Sequence, residues 1–392
     1  MNDPVHVLLR RWRQIGLLVG LAGLALCGLG AALDRSRFFV SYLFGYVFWL
    51  GLSLGCLAVA MIHHLTGGRW GFVTRRLLEA GFMTLPLMAL LFVPLLFGLR
   101  DLYPWARPAT LAASPVLQHK QIYLNPAAFM GRALFFFLVW IGIAWLLRRW
   151  SLAQDLTSDP GPTLRLRSLS GPGVVIYALT GTFAFIDWVM SIEPAWSSTI
   201  FLVIILIGQI LSAFAFITLW LARLRGHAPW NLVVTVSHFH DLGNLLMTFV
   251  MFWTYISFSQ LLIMYSANLP REISWYLRRI AGTWKWVIGL VALCHFFLPF
   301  FLLLFRAVKR RVPWLTAIAA LVLASQGAAL YWLIMPSYHL EGLRLHWLDL
   351  ATWLGVGGVW LAAFSSGLCH QALLPRNDPR IDYTLVTLAH AK

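Results

Sequence analysis

The sequence predicts an all-α integral membrane protein with ten transmembrane helices. Of its 392 residues, 60% are hydrophobic and only 11% are charged, which is too few charges to cover the surface of a soluble protein of this length. Apolar runs of about 20 residues recur along the chain, and a helix needs this length to cross the hydrocarbon core of a bilayer. Together these observations place the chain in the class of polytopic helical membrane proteins.

The apolar runs divide the chain into ten expected spans. They are residues 14–33, 39–62, 78–98, 129–147, 171–190, 198–222, 244–265, 286–306, 314–335 and 347–369. Residues 99–128 and 148–170 are Pro-rich or polar and are expected to be surface loops, and a tail begins at Gln371. A signal peptide is the alternative for residues 1–33, but their apolar run is long for one, so we expect a retained first span.

Lysine and arginine indicate the orientation. With the N-terminus in the cytoplasm, the cytoplasmic segments hold 19 basic residues and the outer loops hold 10. Short cytoplasmic loops carry an excess of Lys and Arg, so both termini are expected inside. Much of the net charge of +16 then faces the anionic inner leaflet, which makes the phospholipid bilayer its expected partner and argues against nucleic acid.

The cysteines exclude several kinds of redox centre. All four (Cys27, Cys56, Cys294 and Cys369) lie within expected spans, and no two of them form a CxxC or CxxCH motif. We therefore expect no c-type haem, cysteine-ligated iron–sulfur cluster or metal in this chain, and assign the cysteines to packing. A b-type haem needs two facing histidines, and the only mid-span histidine has no partner in another span.

Polar residues at the span midpoints are concentrated in the second half of the chain. They are Gln209 in span six, Thr254 and Tyr255 in span seven, His295 in span eight, and Ser325 and Gln326 in span nine. One interpretation is interhelical hydrogen bonding, which stabilises membrane helices by about 0.6–2 kcal/mol a pair. The other is a proton relay, in which the imidazole of His295 titrates and the amides and hydroxyls hold water beside it.

A relay needs groups at both membrane surfaces. On the cytoplasmic side, "VSHFHDLGNLL" supplies His238, His240 and Asp241, and we expect a surface helix to break near Gly243 before span seven begins. The alternative role of Asp241 is to cap that span. The carboxylate of Glu79, in the first expected turn of span three, is attributed to the helix dipole.

On the outer side, Asp187 lies about three residues inside the end of span five, and Glu193 follows in the turn "SIEPAW". Arg132 enters span four from the same side at a similar depth, so an Asp187–Arg132 ion pair is expected to be possible. An acidic funnel for protons and an ion pair that ties two helices together remain equally good interpretations.

Two long motifs carry a family resemblance. "DWVMSIEPAWSSTIF" and "SHFHDLGNLLMTFVMFWTYISFSQLLIMYSANLPREISWYLRR", with the ten-span plan, resemble the ActF-type subunits of bacterial alternative complex III. These are the second NrfD-like membrane subunits of a quinol:electron-acceptor oxidoreductase. The resemblance is strongest over residues 171–285. It departs from the family pattern at Asn244, where a lysine commonly follows "HDLG", which weakens proton uptake at that point.

The resemblance implies two four-helix bundles, residues 39–190 and 191–346, with residues 1–38 and 347–392 forming a peripheral span at each end. It implies a non-catalytic subunit in the bacterial inner membrane that is either a proton-conducting or a structural partner, of which we favour proton conduction, with no catalytic or cofactor-binding residues. C-type haems, iron–sulfur clusters and quinone are expected in partners, among them an ActC-like quinol-binding membrane subunit. A quinol-binding subunit, a purely structural anchor and, more distantly, a transporter are the alternatives.

Overall fold

The structure, a computed structural model, describes residues 4–378, and ten long helices form most of this part. All ten are long and apolar enough to cross a membrane, and residues 4–378 contain no strand. In chain order they are α1 (Pro4–Leu33), α2 (Arg35–Thr66), α3 (Arg69–Phe97), α4 (Pro126–Gln154), α5 (Gly161–Ile192), α6 (Thr199–Leu224), α7 (Val236–Ala267), α8 (Trp284–Leu304), α9 (Val312–Ser337) and α10 (Trp347–Cys369). The predicted class, an all-α multi-pass membrane protein, is confirmed.

Four membrane-spanning helices, α1, α3, α5 and α7, begin eight to ten residues before the positions predicted for them. Helix α3 begins at Arg69 and not at residue 78, and α5 begins at Gly161 and not at residue 171. Polar residues at these helix starts hid the additional turns from a hydropathy argument. As a consequence, Glu79 lies ten residues inside its helix and not in the first turn.

The predicted break near Gly243 is wrong. Helix α7 runs without interruption from Val236 to Ala267 and begins after Thr235, whose side chain caps it. A glycine inside a helix costs only about 1 kcal/mol relative to alanine. Here it also makes room, because a Cβ atom at Gly243 would lie 2.9 Å from Cγ of Lys309. Gly243 therefore allows another segment to pack closely against α7.

Helix α2 is the centre of the fold, and 94% of its most apolar 18-residue stretch is buried. Helices α2 to α5 pack against one another, as do α6 to α9, and the two groups meet mainly where α2 packs on α6. At this crossing a Cβ atom on Gly55 would lie 2.0 Å from the carbonyl oxygen of Gln209, so only glycine permits the contact. The polar side chain of Gln209 is thereby held between the two groups.

Helices α1 and α10 pack against each other along a row of small residues, and α10 also packs on α2. Cβ atoms built on Gly16, Gly20 and Gly23 would each meet backbone atoms of α10 within 2.9 Å. Gly28, on the same helix, has open space around it. Small residues of this kind let two backbones approach closely in a membrane.

Because successive long helices run in opposite directions, the fold has two ends. We call the end where α1 begins the amino face; it also holds Thr66, Arg69 and Gln154. The other end, which holds Leu33, Arg35 and Ile192, is the opposite face. The opposite face also carries the connections between α3 and α4 and between α7 and α8.

Candidate proton-path site

His295 is fully buried on α8 and lies where the helix is irregular. Residues Ala292–Phe297 form a π-helical turn. Pro299 contributes to this irregularity, because it has no N–H to donate to the carbonyl of His295 four residues earlier. Nδ1 of His295 lies 3.0 Å from the hydroxyl oxygen of Ser325 on α9, and the ring packs on Trp253 with the centroids 4.3 Å apart. Its Nε2 atom is buried and has no hydrogen-bond partner among the described residues.

Two more of the polar residues at the span midpoints, Gln209 and Gln326, line one small cavity. The hydroxyl of Tyr177 on α5 donates to Oε1 of Gln209 at 2.8 Å. Nε2 of Gln209 and Oε1 of Gln326 are both buried, and within residues 4–378 neither has a hydrogen-bond partner. A Cβ atom on Gly208 would lie 2.5 Å from Nε2 of Gln326, so the two helices are close here.

The set of polar residues that meet near the span midpoints differs from the expectation in two ways. Helix α7 contributes the ring of Trp253, because the side chain of Tyr255 points outward with 67% exposed and Thr254 donates to the carbonyl of Val250 at 2.8 Å. Helix α5 contributes the hydroxyl of Tyr177. A search of span midpoints did not include this residue, because it lies about three residues from the middle of the expected span five. The rotation of a helix about its own axis decides which of two neighbouring side chains faces inward, and the sequence does not specify that rotation.

At the amino face, His238 begins α7 as part of a capping box. The backbone N–H of Thr235 donates to Nδ1 of His238 at 3.0 Å, while Nε2 of His238 is buried without a partner in the described part of the chain. Thr235 is therefore the cap, and the capping role considered for Asp241 is wrong. His240 and Asp241 are partly exposed, with Nδ1 and Oδ1 3.9 Å apart.

Glu79 is the main residue that the sequence interpretation misjudged. It is buried on α3, where Oε1 accepts from Nε of Arg75 at 3.2 Å and Oε2 accepts from Nη1 of Arg76 at 2.6 Å. Ser151 of α4 donates a further hydrogen bond to it, and Arg76 also pairs with Asp155 at the end of α4. Two arginines three and four residues before a glutamate lie on one helix face, and this spacing was the available signal.

Residues of the C-terminal segment complete this charged cluster. Nη1 of Arg75 donates to Oδ2 of Asp378 at 2.9 Å, and the backbone N–H of Arg376 donates to Oδ1 of Asp155 at 2.8 Å. Nε2 of Gln154 donates to the carbonyl of Asn377 at 3.1 Å. The expected tail from Gln371 is therefore packed on α3 and α4 as far as residue 378, and residues 379–392 lie outside the described part.

At the opposite face, Asp187 and Arg132 form the ion pair that the sequence allowed. Nε of Arg132 donates to Oδ2 of Asp187 at 2.7 Å and Nη2 donates to Oδ1 at 3.1 Å, so the pair is bidentate. The Asp187 side chain is fully buried, and the guanidinium also lies 3.8 Å from the ring centre of Tyr123. This geometry favours the interpretation of a tie between α4 and α5.

A charge swap tests that interpretation. We expect Asp187→Asn to lower the free energy of unfolding by about 3–5 kcal/mol, because it leaves the Arg132 charge without its buried partner. The double variant Asp187→Arg with Arg132→Asp should recover part of this loss, since it restores opposite charges. Thermal unfolding in detergent measures both. If the double variant loses as much stability as the single variants Asp187→Arg and Arg132→Asp lose together, the interpretation of a tie is contradicted.

Glu193 is held by a second set of basic residues. It accepts from Nη1 of Arg278 and from Nη1 of Arg279, both at 2.9 Å, and from the hydroxyl of Ser337 at 2.6 Å. Burial lowers the pKa of Arg279 to about 10, and the neighbouring Glu193 partly offsets this, so the guanidinium is charged at neutral pH. The contacts tie the turn after α5 to the helix Pro270–Ile280 and to the end of α9.

A third buried ion pair, Arg37 with Asp349, links the starts of α2 and α10, and nothing in the sequence predicted that Arg37 would be its basic member. Asp349 accepts from Nη2 of Arg37 at 2.6 Å, from the hydroxyl of Ser41 at 2.5 Å and from the hydroxyl of Tyr331 at 3.0 Å. Arg37 also contacts Nε2 of His339. Burial, and then the charge of Arg37, lower the pKa of His339, so its ring is neutral and can accept from the guanidinium.

The candidate residues therefore divide into two groups. The carboxylates at the opposite face, Asp187 and Glu193, are each held by arginine. The polar groups at mid-depth and at the start of α7 keep buried atoms without a partner among residues 4–378: Nε2 of Gln209, Nε2 of His238, Nε2 of His295 and Oε1 of Gln326. An unpaired buried polar atom costs about 1–3 kcal/mol, so helix packing alone does not account for the second group.

A cleft lies beside the turn after α5, with a volume of about 350 Å³. Its walls are mainly apolar, formed by residues such as Ile186, Met190 and Ile263, with Gln260, Ser198 and Glu272 as polar groups. Nε2 of Gln260 donates to the hydroxyl of Ser198 at 3.1 Å. Among the described residues, no group of three or more His, Cys, Asp and Glu side chains is arranged to hold a metal ion.

The fold and these buried charges define a polytopic helical membrane protein with polar groups inside its helix bundle. Comparison with known proteins adds no family, because no protein-family model and no curated protein matches the chain.

Proposed function

We propose that this chain is an ActF-type membrane subunit of a bacterial alternative complex III, and that it supports proton movement without holding a redox centre. Its partners would be an ActC-like quinol-binding subunit and subunits that carry c-type haem and iron–sulfur clusters. It would lie in the inner membrane with both ends in the cytoplasm. The two long motifs in residues 171–285 support the family, and the excess of basic residues on one side supports the orientation.

The observation that carries the proton role is the set of unpartnered buried atoms in α6 to α9. His238 lies at the amino face, while His295, Gln209 and Gln326 lie near the middle of their helices. Asp187 and Glu193 at the opposite face are paired with arginine, whereas these amides and imidazoles each keep an unpartnered nitrogen or oxygen atom. Atoms that retain hydrogen-bonding capacity can bind water, and an imidazole can accept a proton and pass it on.

The proposed path begins at His240 and Asp241, which are partly exposed at the amino face. It continues past His238 to His295 on α8. The opposite-face carboxylates stabilise the fold in this proposal, because Arg132 and Arg279 each hold one of them in an ion pair between separate helices. This changes the role of Asp187 and Glu193 from proton groups to ties between helices.

The test uses the whole complex in liposomes. We expect His295→Leu to leave quinol oxidation unchanged and to lower the ratio of protons released to electrons transferred. Leucine fills similar space without a group that can titrate. Assembly of the complex is checked by its haem content and its size.

His119→Leu is the matched control, since His119 is exposed in the connection between α3 and α4. It should leave both quantities unchanged. A complex with His295→Leu that assembles fully and keeps the wild-type proton-to-electron ratio would contradict the proposal. The structural anchor would then be the better interpretation.

Quinol binding is the second candidate, and the cleft beside α5 is the observation that favours it. Its apolar walls suit a prenyl chain, and Gln260 and Glu272 offer hydrogen bonds for a quinol head group. Solvent extraction of the purified chain tests this, because bound quinone that is lost in Gln260→Leu would support a site here. Extraction that recovers no quinone from the wild-type chain would exclude it.

A further inference from the structure

A small cavity lies at the junction of the two helix groups. Its volume is about 10 Å³, and its polar lining comes from Gln209 and Ser212 of α6 and Gln326 of α9. Val47, Phe48 and Gly51 of α2 form part of the apolar wall. A cavity needs roughly 10–15 Å³ and two to four polar partners to hold one water molecule. The size and the lining both meet these conditions.

The two unpartnered amide atoms at this cavity are complementary. Nε2 of Gln209 is a donor without an acceptor, and Oε1 of Gln326 is an acceptor without a donor. The hydroxyl of Ser212 already donates to the carbonyl of Gly208 at 2.8 Å, which leaves its oxygen lone pairs able to accept. One water molecule could accept from Gln209 and donate to both Gln326 and Ser212.

We propose that this cavity is a binding site for a single ordered water molecule that joins Gln209 to Gln326. The water satisfies both amides, which removes the free-energy cost of leaving them unpaired in a membrane interior. With the hydrogen bond from Tyr177 to Gln209, it completes a continuous chain from α5 through α6 to α9. Ser325, next to Gln326 on α9, then contacts His295.

The same geometry gives the water a role in the relay, and only this second step rests on the proposed function. A water molecule bound inside a protein can accept one proton and release another, whereas a glutamine amide mainly orients its hydrogen-bond neighbours. The water would extend the polar path from His295 and Ser325 to the contact between α2 and α6. This path uses no group of the opposite face.

The first experiment is a density map of the purified full-length protein at a resolution that shows ordered water. We expect one peak within about 2.7–3.2 Å of Nε2 of Gln209 and of Oε1 of Gln326. Gly51→Ala is the matched variant, because its Cβ atom would lie 3.2 Å from Cγ of Gln209 at the cavity wall. It keeps both amides and should remove the peak. A wild-type cavity without density would overturn the proposal.

The sign of a stability change provides an independent test. Gln326→Met should lower the Tm if water bridges the amides, because it removes one of the three polar partners that hold the water beside Nε2 of Gln209. In a dry cavity the same change removes an unpaired acceptor, so an equal or higher Tm would overturn the proposal even if the density were ambiguous. If the peak is present but Gln326→Met keeps the wild-type proton-to-electron ratio, the water site stands and its relay role is excluded.

Discussion

Glu79→Gln is expected to lower the free energy of unfolding by about 3–5 kcal/mol. Glu79 is buried between Arg75 and Arg76, and its two carboxylate oxygens each accept a hydrogen bond from one of them. Glutamine keeps the shape but loses the negative charge, so the two charge-assisted hydrogen bonds from Arg75 and Arg76, each worth about 1.5–3 kcal/mol, are weakened, and each guanidinium keeps only its other carboxylate, Asp378 or Asp155. Thermal unfolding of the purified protein in detergent measures the loss.

The matched control is Glu341→Gln. Glu341 also pairs with an arginine three residues away, Arg344, but both side chains are mostly exposed. Exposed ion pairs contribute little to stability, so this variant should unfold at the same temperature as the wild-type protein. Equal effects of Glu79→Gln and Glu341→Gln would show that the amino-face cluster does not hold α3, α4 and the C-terminal segment together.

The second large effect is expected from Gly23→Leu. A Cβ atom at this position would lie 2.5 Å from Cα and 2.6 Å from the amide nitrogen of Gly355 on α10. Backbone atoms cannot move aside as a side chain can, so α1 and α10 must separate. Overpacking of this kind costs about 1–3 kcal/mol or more, and we expect the upper end because the close contact is lost along the helix.

Gly28→Leu on the same helix controls for the change in apolar surface. No atom lies within 4 Å of a Cβ atom at Gly28, so the side chain enters open space and the Tm should stay at the wild-type value. The Tm in detergent and disulfide cross-linking between cysteines placed on α1 and α10 give two readouts. Wild-type cross-linking and Tm in Gly23→Leu would contradict the close packing of these helices.

Three buried arginine–carboxylate pairs at the opposite face bear on the proposed proton path. Each joins segments that are distant in the sequence: Arg132 with Asp187, Arg279 with Glu193, and Arg37 with Asp349. Removing one partner of such a pair leaves a buried charge, so the pairs fix how the helices are placed. The proposed proton path accordingly depends on the histidines and amides of α6 to α9.

The amino-face cluster has a different composition, since it includes the C-terminal segment. Asp378 contacts Arg75, and Arg376 contacts Asp155 through its backbone. These contacts place residues 371–378 over the ends of α3 and α4. The segment therefore contributes to the same charge balance as Glu79, although it lies about 300 residues away in the chain.

The sequence alone determined the class, the number of membrane-spanning helices and the residues with unusual chemistry. Hydropathy over about 20 residues depends only on local composition, which is why all ten helices could be predicted. It also singled out His295, Gln209 and Gln326, because polar groups are rare at mid-membrane depth. The Arg132–Asp187 pair was foreseeable because both residues lie at one depth on neighbouring spans.

Only the tertiary structure decided which of these groups have partners. Helix rotation turned Tyr255 outward and Tyr177 inward, and hydropathy carries no information about rotation. The early start of α3 buried Glu79, because its first turns are polar yet are covered by α4 and the C-terminal segment. A hydrogen bond or ion pair between distant segments depends on packing in three dimensions, and a linear pattern of residue types does not specify that packing.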